Sequence, residues 1–213
     1  MKAQVWQRIR RPVLALTVAL GMAGAYAHEH AAETSGPSRQ DGALSVSTAR
    51  YTVPDVQLTR EDGKVISLPA EMNDGRPVVL NFIFTSCTSI CPLLSAVFAE
   101  FDRQLGKDRN KVHLMSISID PEADTPARLR EYAARFKAGP EWQHYTGTLA
   151  ASLAAQRVFN VYRGDKMYHT AVTLMRAAPG EPWLRLEGFV TPHELLVQYR
   201  HLTEAPRHAV AAR

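Results

Sequence analysis

The sequence predicts an α/β protein with a central, mostly parallel sheet, helices on both faces and an N-terminal β-hairpin. Two apolar segments, residues 77–84 and 112–119, have the profile of strands that are covered on both faces. Segments with the apolar spacing of a helix follow each of them. Strands that alternate with helices favour right-handed crossovers and a parallel sheet.

The first elements are signalled by turns and periodicity. Two short alternating runs flank Asp62-Gly63, which predicts a hairpin. The buried strand of residues 77–84 comes next. Apolar residues between 94 and 105 then recur with helical spacing, and Gly106 is a natural end for that helix.

The second half of the domain has clear helix starts. Thr125 is predicted to cap a helix over 126–136, and a further helix is expected over 148–159. Two adjacent strands joined through Pro179-Gly180 follow, and residues 191–194 form a capping box that opens the last helix. This order is typical of a thioredoxin-like layout.

The ends of the chain predict export. Residues 1–27 combine four basic residues, an apolar run and a small-x-small end, which is the pattern of a signal peptide; an uncleaved anchor is the alternative. We therefore expect a periplasmic protein, attached to the inner membrane if that segment is retained. Residues 28–49 are predicted to be a flexible leader, 50–203 a single domain, and 204–213 a disordered tail.

The charge of the chain argues against a nucleic-acid partner. The sequence has 25 Lys and Arg against 21 Asp and Glu, a net charge of +4. Four of the basic residues and none of the acidic ones lie in residues 1–27, so the rest of the chain carries 21 of each. A balanced domain offers no global basic field for nucleic acid.

Cys87 and Cys91 are the only cysteines of the chain, and Pro92 follows directly. Proline suits the first position of a helix, so Cys91 is expected at or beside the N-cap and Cys87 in the loop that folds over it. Exposed amides there favour anionic sulfur and should lower the pKa of both thiols. The pair could form a structural disulfide, act as redox-active thiols, or bind a soft metal.

Eight histidines compete for the role of third ligand. Those in the predicted leader, tail and last helix, and two others in the body, are expected to be structural or solvated (His28, His30, His113, His144, His193, His201 and His208). His169 stands directly before the predicted strand of residues 170–175, in a loop that approaches the cysteine helix in a thioredoxin-like fold. Spacing alone favours His169 only slightly.

Three ordered motifs carry a resemblance to a known family. They are NFIFTSCTSICP (81–92), SISIDPEADTPARLREY (116–132) and YHTAVTLM (168–175). Over roughly residues 50–203 the chain resembles the Sco/SenC family of copper-binding, thioredoxin-like cytochrome c oxidase assembly proteins. The resemblance implies that Cys87, Cys91 and His169 are copper ligands, for Cu(I) or Cu(II).

The same motifs contain two departures from the family pattern. Many relatives have Pro-Asp-Val between the cysteines, where this chain has Thr88-Ser89-Ile90. An aspartate usually precedes the histidine, where this chain has Tyr168. The ligands are intact, so these changes concern the identity of the partner. Asp120 and Asp124 match the family's acidic motif and are expected to support the site.

These observations leave several functions open. The first is a periplasmic copper metallochaperone that loads a respiratory copper enzyme such as cytochrome c oxidase. Two thiolates and an imidazole suit copper in either oxidation state, and oxidation of the thiols would release the metal. The alternatives are a thiol–disulfide oxidoreductase that reduces the cysteines of a copper-site target, and a redox or copper sensor. Thioredoxins typically have a cis-proline facing the cysteines, where this chain has His169-Thr170, which favours metal binding.

A second metal site is a weaker hypothesis. Cleavage after Ala27 would leave His28-Glu29-His30 at a free amino terminus. An amine, two backbone amides and the third-residue imidazole can form a square-planar site for Cu(II) or Ni(II). An incidental polar leader is the favoured interpretation.

Overall fold

The computed structural model describes residues 44–204. The strands are β1 (Ser45–Ala49), β2 (Gln57–Arg60), β3 (Val65–Ser67), β4 (Val78–Ile83), β5 (His113–Ser118), β6 (Trp142–Gly147), β7 (Val172–Arg176) and β8 (Trp183–Glu187). The α-helices are α1 (Leu68–Met72), α2 (Ile90–Leu105), α3 (Pro126–Arg135), α4 (Leu149–Val158) and α5 (Pro192–Glu204), and Gly106–Lys111 and Lys166–Tyr168 are 3-10 helices. The predicted signal peptide (1–27), the His28–His30 site, most of the predicted leader and the tail beyond residue 204 lie outside the described residues.

The strands form one mixed sheet in the order β1-β8-β7-β4-β5-β6-β2-β3. The α/β class and the thioredoxin-like architecture are confirmed, but the expectation of a mostly parallel sheet is wrong. Only β4, β5 and β6 run parallel; the other five pairings within residues 44–204 are antiparallel. The reason is that antiparallel strands flank the parallel centre on both sides. The hairpin of β2 and β3 lies on one side, and the hairpin of β7 and β8 lies on the other, with β1 at its outer edge.

Two strands go beyond the expectation from sequence. β1 lies inside the segment 28–49 that was expected to be flexible, and it pairs with β8 at the edge of the sheet. Its residues are mostly exposed, so its sequence lacks the alternating apolar residues that would predict a strand. β6 pairs in parallel with β5, but the sequence does not predict it as a strand because it contains the polar residues Gln143, His144 and Thr146.

The starts of α3, α4 and α5 agree with the sequence. The Thr125 hydroxyl accepts a hydrogen bond from the amide of Arg128, and Thr148 caps α4 in the same way. The capping box of α5 is reciprocal, because the Glu194 carboxylate accepts from the amide of Thr191 at 2.8 Å. Within residues 44–204, no helix is both long and apolar enough to cross a membrane.

The position of β4 is set by apolar contacts on both of its faces. Val78, Leu80 and Phe82 pack into a cluster that includes buried residues of α1 and α4. Val79 faces the opposite side, in a cluster with buried residues of α2 and α5. All six residues of β4 are buried. The strand therefore forms a fixed base for the cysteine loop that follows it.

A buried histidine in β6 makes the stability of the domain depend on pH. His144 is fully buried, and its ring lies 5.1 Å from that of Trp142 and 6.1 Å from that of Tyr132. Burial lowers the pKa of His144 to about 3. Below the unfolded pKa of about 6.5, the unfolded chain binds a proton that the folded chain does not. The free energy of unfolding should therefore fall as pH falls through this window.

Replacing His144 by Phe removes this titration and keeps an aromatic ring. When the pH is lowered from 7.0 to 5.5, the free energy of unfolding should decrease in the parent. In the variant, we expect this decrease to be about 1 kcal/mol smaller. Urea denaturation of both proteins at the two pH values measures this difference. Any change in packing free energy that the larger ring of phenylalanine causes is equal at both pH values and therefore does not affect the comparison. An equal loss in parent and variant would contradict the prediction.

Candidate metal centre

The cysteine motif occupies the loop between β4 and α2. α2 begins at Ile90, with Ser89 at the N-cap, so Cys91 is the second residue of the helix and Pro92 the third. The helix thus starts two residues before the position predicted from Pro92. Cys91 is fully buried and Cys87 is half-buried, and the two sulfurs are not joined.

Cys87 lies where the first amides of α2 can reach it. The N–H of Cys91 donates a hydrogen bond to the Cys87 sulfur at 3.4 Å. Burial by itself would raise the pKa of Cys87, but hydrogen bonds from the backbone amides of Cys91 and Ser89 outweigh it and lower the pKa. This shift agrees with the expected effect of a helix N-terminus on anionic sulfur.

Cys91 has the opposite environment. It packs in an apolar cluster with Ile83, Phe84, Leu129 and Tyr132, and Cys87 lies against this cluster. Burial raises the pKa of the Cys91 thiol. The expectation that both thiols have a lowered pKa is therefore wrong for Cys91, because the loss of water at its sulfur exceeds the effect of the helix end.

His169 is fixed by a bond to the backbone of β4. The residue follows the 3-10 turn Lys166–Tyr168 and is 6% exposed. Its Nε2 lies 3.0 Å from the carbonyl oxygen of Phe82. A carbonyl can only accept, so Nε2 carries the proton and the neutral ring has its lone pair on Nδ1. Burial also lowers the pKa of His169, which favours the neutral ring.

The free nitrogen of His169 has the character of a ligand. Nδ1 is buried and has no hydrogen-bond partner within the described residues. Buried polar atoms are nearly always paired. In the same part of the chain, Nδ1 of His113 and both ring nitrogens of His144 are unpaired as well, so His169 is distinguished by lining a cavity together with Cys87. Metal-binding histidines usually donate their other N–H to a backbone carbonyl or carboxylate, as Nε2 does here.

Cys87 and His169 line one cavity of about 100 Å³, together with residues such as Phe84 and Met167. Cys91 is not among the residues that line it. Within residues 44–204, no group of three or more His, Cys, Asp or Glu side chains is close enough to hold a metal ion. The structure therefore brings the predicted residues together in pairs, Cys87 with Cys91 and Cys87 with His169.

Asp124 fixes the start of the cysteine loop through hydrogen bonds to its carboxylate. It is fully buried, and its carboxylate accepts hydrogen bonds from the Ser118 hydroxyl at 2.6 Å and from the Thr85 hydroxyl at 2.6 Å. The amide of Thr85 donates to the same carboxylate at 3.2 Å. One side chain thus connects the ends of β4 and β5 to the start of α3.

Asp120 supports the histidine loop. Its carboxylate lies 2.6 Å from the ammonium of Lys166, three residues before His169. This contact connects the end of β5 to the turn that precedes the histidine. Sequence reasoning missed Lys166 and the carbonyl of Phe82. A backbone carbonyl carries no sequence signal, and the role of the lysine is recognisable only from its contact with Asp120, which is remote in sequence.

Comparisons with known proteins identify the family. Residues 46–202 match the family model described as SCO1/SenC. This chain belongs to the SCO1/SenC family. The match covers nearly all of the residues that the structure describes, so both the cysteine loop and the histidine loop lie within it.

Solved structures and a curated relative agree with this family. This SCO1/SenC protein is similar to Bradyrhizobium japonicum ScoI with copper bound, at 28% identity and a TM-score of 0.57 over 68% of this chain and 96% of that one. BsSco, a member of the Sco family of cytochrome c oxidase assembly proteins with a disulfide switch, has 23% identity and a TM-score of 0.62 over 75% and 98%. The SCO1 protein homolog of Bacillus subtilis (strain 168) is 34% identical over 98 residues, 46% of this chain and 50% of that one. The match therefore spans about half the length of this relative.

The role of Asp124 can be tested by removing its charge. In Asp124→Asn, an amide group with its own N–H donors faces the hydroxyl and amide donors of Thr85 and Ser118. We expect the free energy of unfolding to fall by about 2 kcal/mol, because hydrogen bonds to a buried charged group are lost. Chemical denaturation measures this change. Glu122→Gln is the matched control, since it removes the same charge from an exposed position; an equal effect in both variants would contradict the prediction.

Proposed function

We propose that this SCO1/SenC protein is a periplasmic copper metallochaperone that binds copper through Cys87, Cys91 and His169. It would deliver the copper to a respiratory copper enzyme such as cytochrome c oxidase. The observation that carries the proposal is that His169, whose buried Nδ1 has no hydrogen-bond partner among the described residues, lines a cavity that Cys87 also lines. The copper-bound ScoI of Bradyrhizobium japonicum and the assembly role stated for the Sco family support the choice of metal and of partner.

The donor set fits copper as a cargo. Thiolate sulfur is soft and prefers Cu(I), and an imidazole nitrogen also accommodates Cu(II). A structural zinc site normally has four protein ligands in a closed tetrahedron. Cys87, Cys91 and His169 would leave one side open, which allows an incoming ligand of a partner to bind before the departing ones release the metal.

The arrangement of the protein suggests an order for loading. Cys87 is half-exposed and carries the lowered pKa, so it would make the first bond to copper. His169 would follow with little loss of entropy, because its ring is already held by Phe82. Cys91 would complete the site from the apolar cluster, with the loss of its proton.

The periplasmic location in this proposal rests on the sequence pattern of residues 1–27. That pattern also leaves attachment to the inner membrane open, if the segment is retained as an anchor.

The predicted ligands can be tested by substitution. Cys87→Ser and Cys91→Ser should abolish binding of one copper, because each removes a thiolate from a site with only two. His169→Ala should lose mainly the Cu(II) form and keep weaker Cu(I) binding, since the thiolates remain. Titration of the reduced protein against a Cu(I) chelator, with Cu(II) binding followed by absorption, measures both.

A histidine outside the site provides the control for this experiment. His193 is exposed on α5, so His193→Ala should bind copper as the parent does. The proposal fails if Cys91→Ser takes up copper with the affinity of the parent.

The second candidate is a thiol–disulfide oxidoreductase. One observation favours it, the contrast between a half-exposed Cys87 with a lowered pKa and a buried Cys91 with a raised one. An accessible thiolate beside a second thiol is suited to attack a disulfide and then resolve the mixed disulfide.

Turnover without metal separates the two candidates. If copper binding is the function, the reduced, metal-free protein should reduce a generic disulfide substrate no faster than a small dithiol of equal concentration. Rapid turnover that is lost in Cys87→Ser would favour the oxidoreductase.

A further inference from the structure

One methionine at the candidate metal centre is unlike the other methionines of the domain. Met72, Met115 and Met175 are fully buried, as is usual for this apolar side chain, whereas Met167 is 72% exposed. The residue lines the cavity of about 100 Å³ that Cys87 and His169 also line. Met167 therefore borders the cavity that two of the candidate ligands line, and most of its surface is open to solvent.

Hydrogen bonds fix the backbone around Met167, whereas its side chain is exposed. The amide of Met167 donates a hydrogen bond to the Asp165 carboxylate at 2.8 Å. The amide of His169 donates to the carbonyl of Lys166 at 3.1 Å, and the Lys166 ammonium contacts Asp120. The turn is thus fixed at both ends. Methionine has an unbranched side chain with three rotatable bonds, so its sulfur can move between solvent and the cavity.

The chemistry of a thioether matches this position. Thioether sulfur is a soft, neutral ligand that selects Cu(I) among the metals available to N, O and S sites. It has no proton to lose and loses little hydration on entering the cavity. Unlike the buried Cys91, it is accessible from outside before copper enters.

We propose that the Met167 thioether is a ligand for Cu(I) at the mouth of the cavity, beside Cys87 and His169, and that it favours Cu(I) over Cu(II). This inference rests on the proposed copper-binding function. After Cys87 has made the first bond, the neutral sulfur of Met167 binds Cu(I) on the open side of the site, and it stays bound until an incoming ligand of a partner replaces it.

The test compares Met167→Leu with the parent, because leucine keeps the apolar surface and removes only the sulfur. Competition with a Cu(I) chelator should show Cu(I) binding that is about tenfold weaker, with Cu(II) binding unchanged. X-ray absorption at the copper edge of the Cu(I) protein should show one sulfur fewer in the variant. Tyr168→Leu is the matched control, since Tyr168 is also 72% exposed and should leave both measurements unchanged.

Two results would overturn the inference while the proposed function stands. The first is equal Cu(I) affinity and sulfur number in Met167→Leu and the parent. The second is a loss of affinity in Tyr168→Leu as large as that in Met167→Leu, with no change in sulfur number, which would assign the effect to the apolar surface. Failure of the proposed function itself looks different, because the parent would then bind no copper or Cys87→Ser would bind it equally well.

Discussion

The hydrogen bond from Nε2 of His169 to the carbonyl of Phe82 is the contact on which the candidate site depends. β4 and β7 are antiparallel neighbours, so the amino end of β7 meets the carboxyl end of β4. The loop that carries His169 therefore lies beside the loop that carries Cys87. The bond then selects one tautomer and, within the described part of the chain, leaves Nδ1 without a hydrogen-bond partner, in a residue that lines the same cavity as Cys87. Without it, the ring would have no fixed orientation towards the cysteine loop.

The pKa values of the two cysteines are shifted in opposite directions because their sulfurs lie in different surroundings at the start of α2. Cys87 lies over the end of α2, where the first amides donate to its sulfur. Cys91 faces inward, against Leu129 and Tyr132 of α3, where no water compensates a charge. In the proposed site, Cys87 would therefore bind a metal first, and the buried Cys91 would bind it later. The same asymmetry suits thiol exchange, so the two proposed functions, metal binding and thiol–disulfide exchange, would use the same atoms.

The sequence predicted the local features of this site better than its long-range features. The apolar run of β4, the cysteine pair at the start of α2 and the cap of Thr125 all depend on neighbouring residues, and all three are present. The direction of the sheet depends on which distant strands pair, and the polar strand β6 has no apolar signature. The raised pKa of Cys91 likewise depends on α3, which is remote in sequence, and so periodicity could not indicate it.

The most direct test of the account follows the two ring nitrogens of His169 separately. Nitrogen-15 NMR of histidine-labelled protein resolves Nδ1 from Nε2, and one equivalent of Cu(I) is added to the reduced sample. The account predicts that the Nδ1 resonance of His169 moves to a metal-bound position while Nε2 keeps its proton and its bond to Phe82. A response at Nε2 instead, or no change at His169 while copper binds, would contradict it.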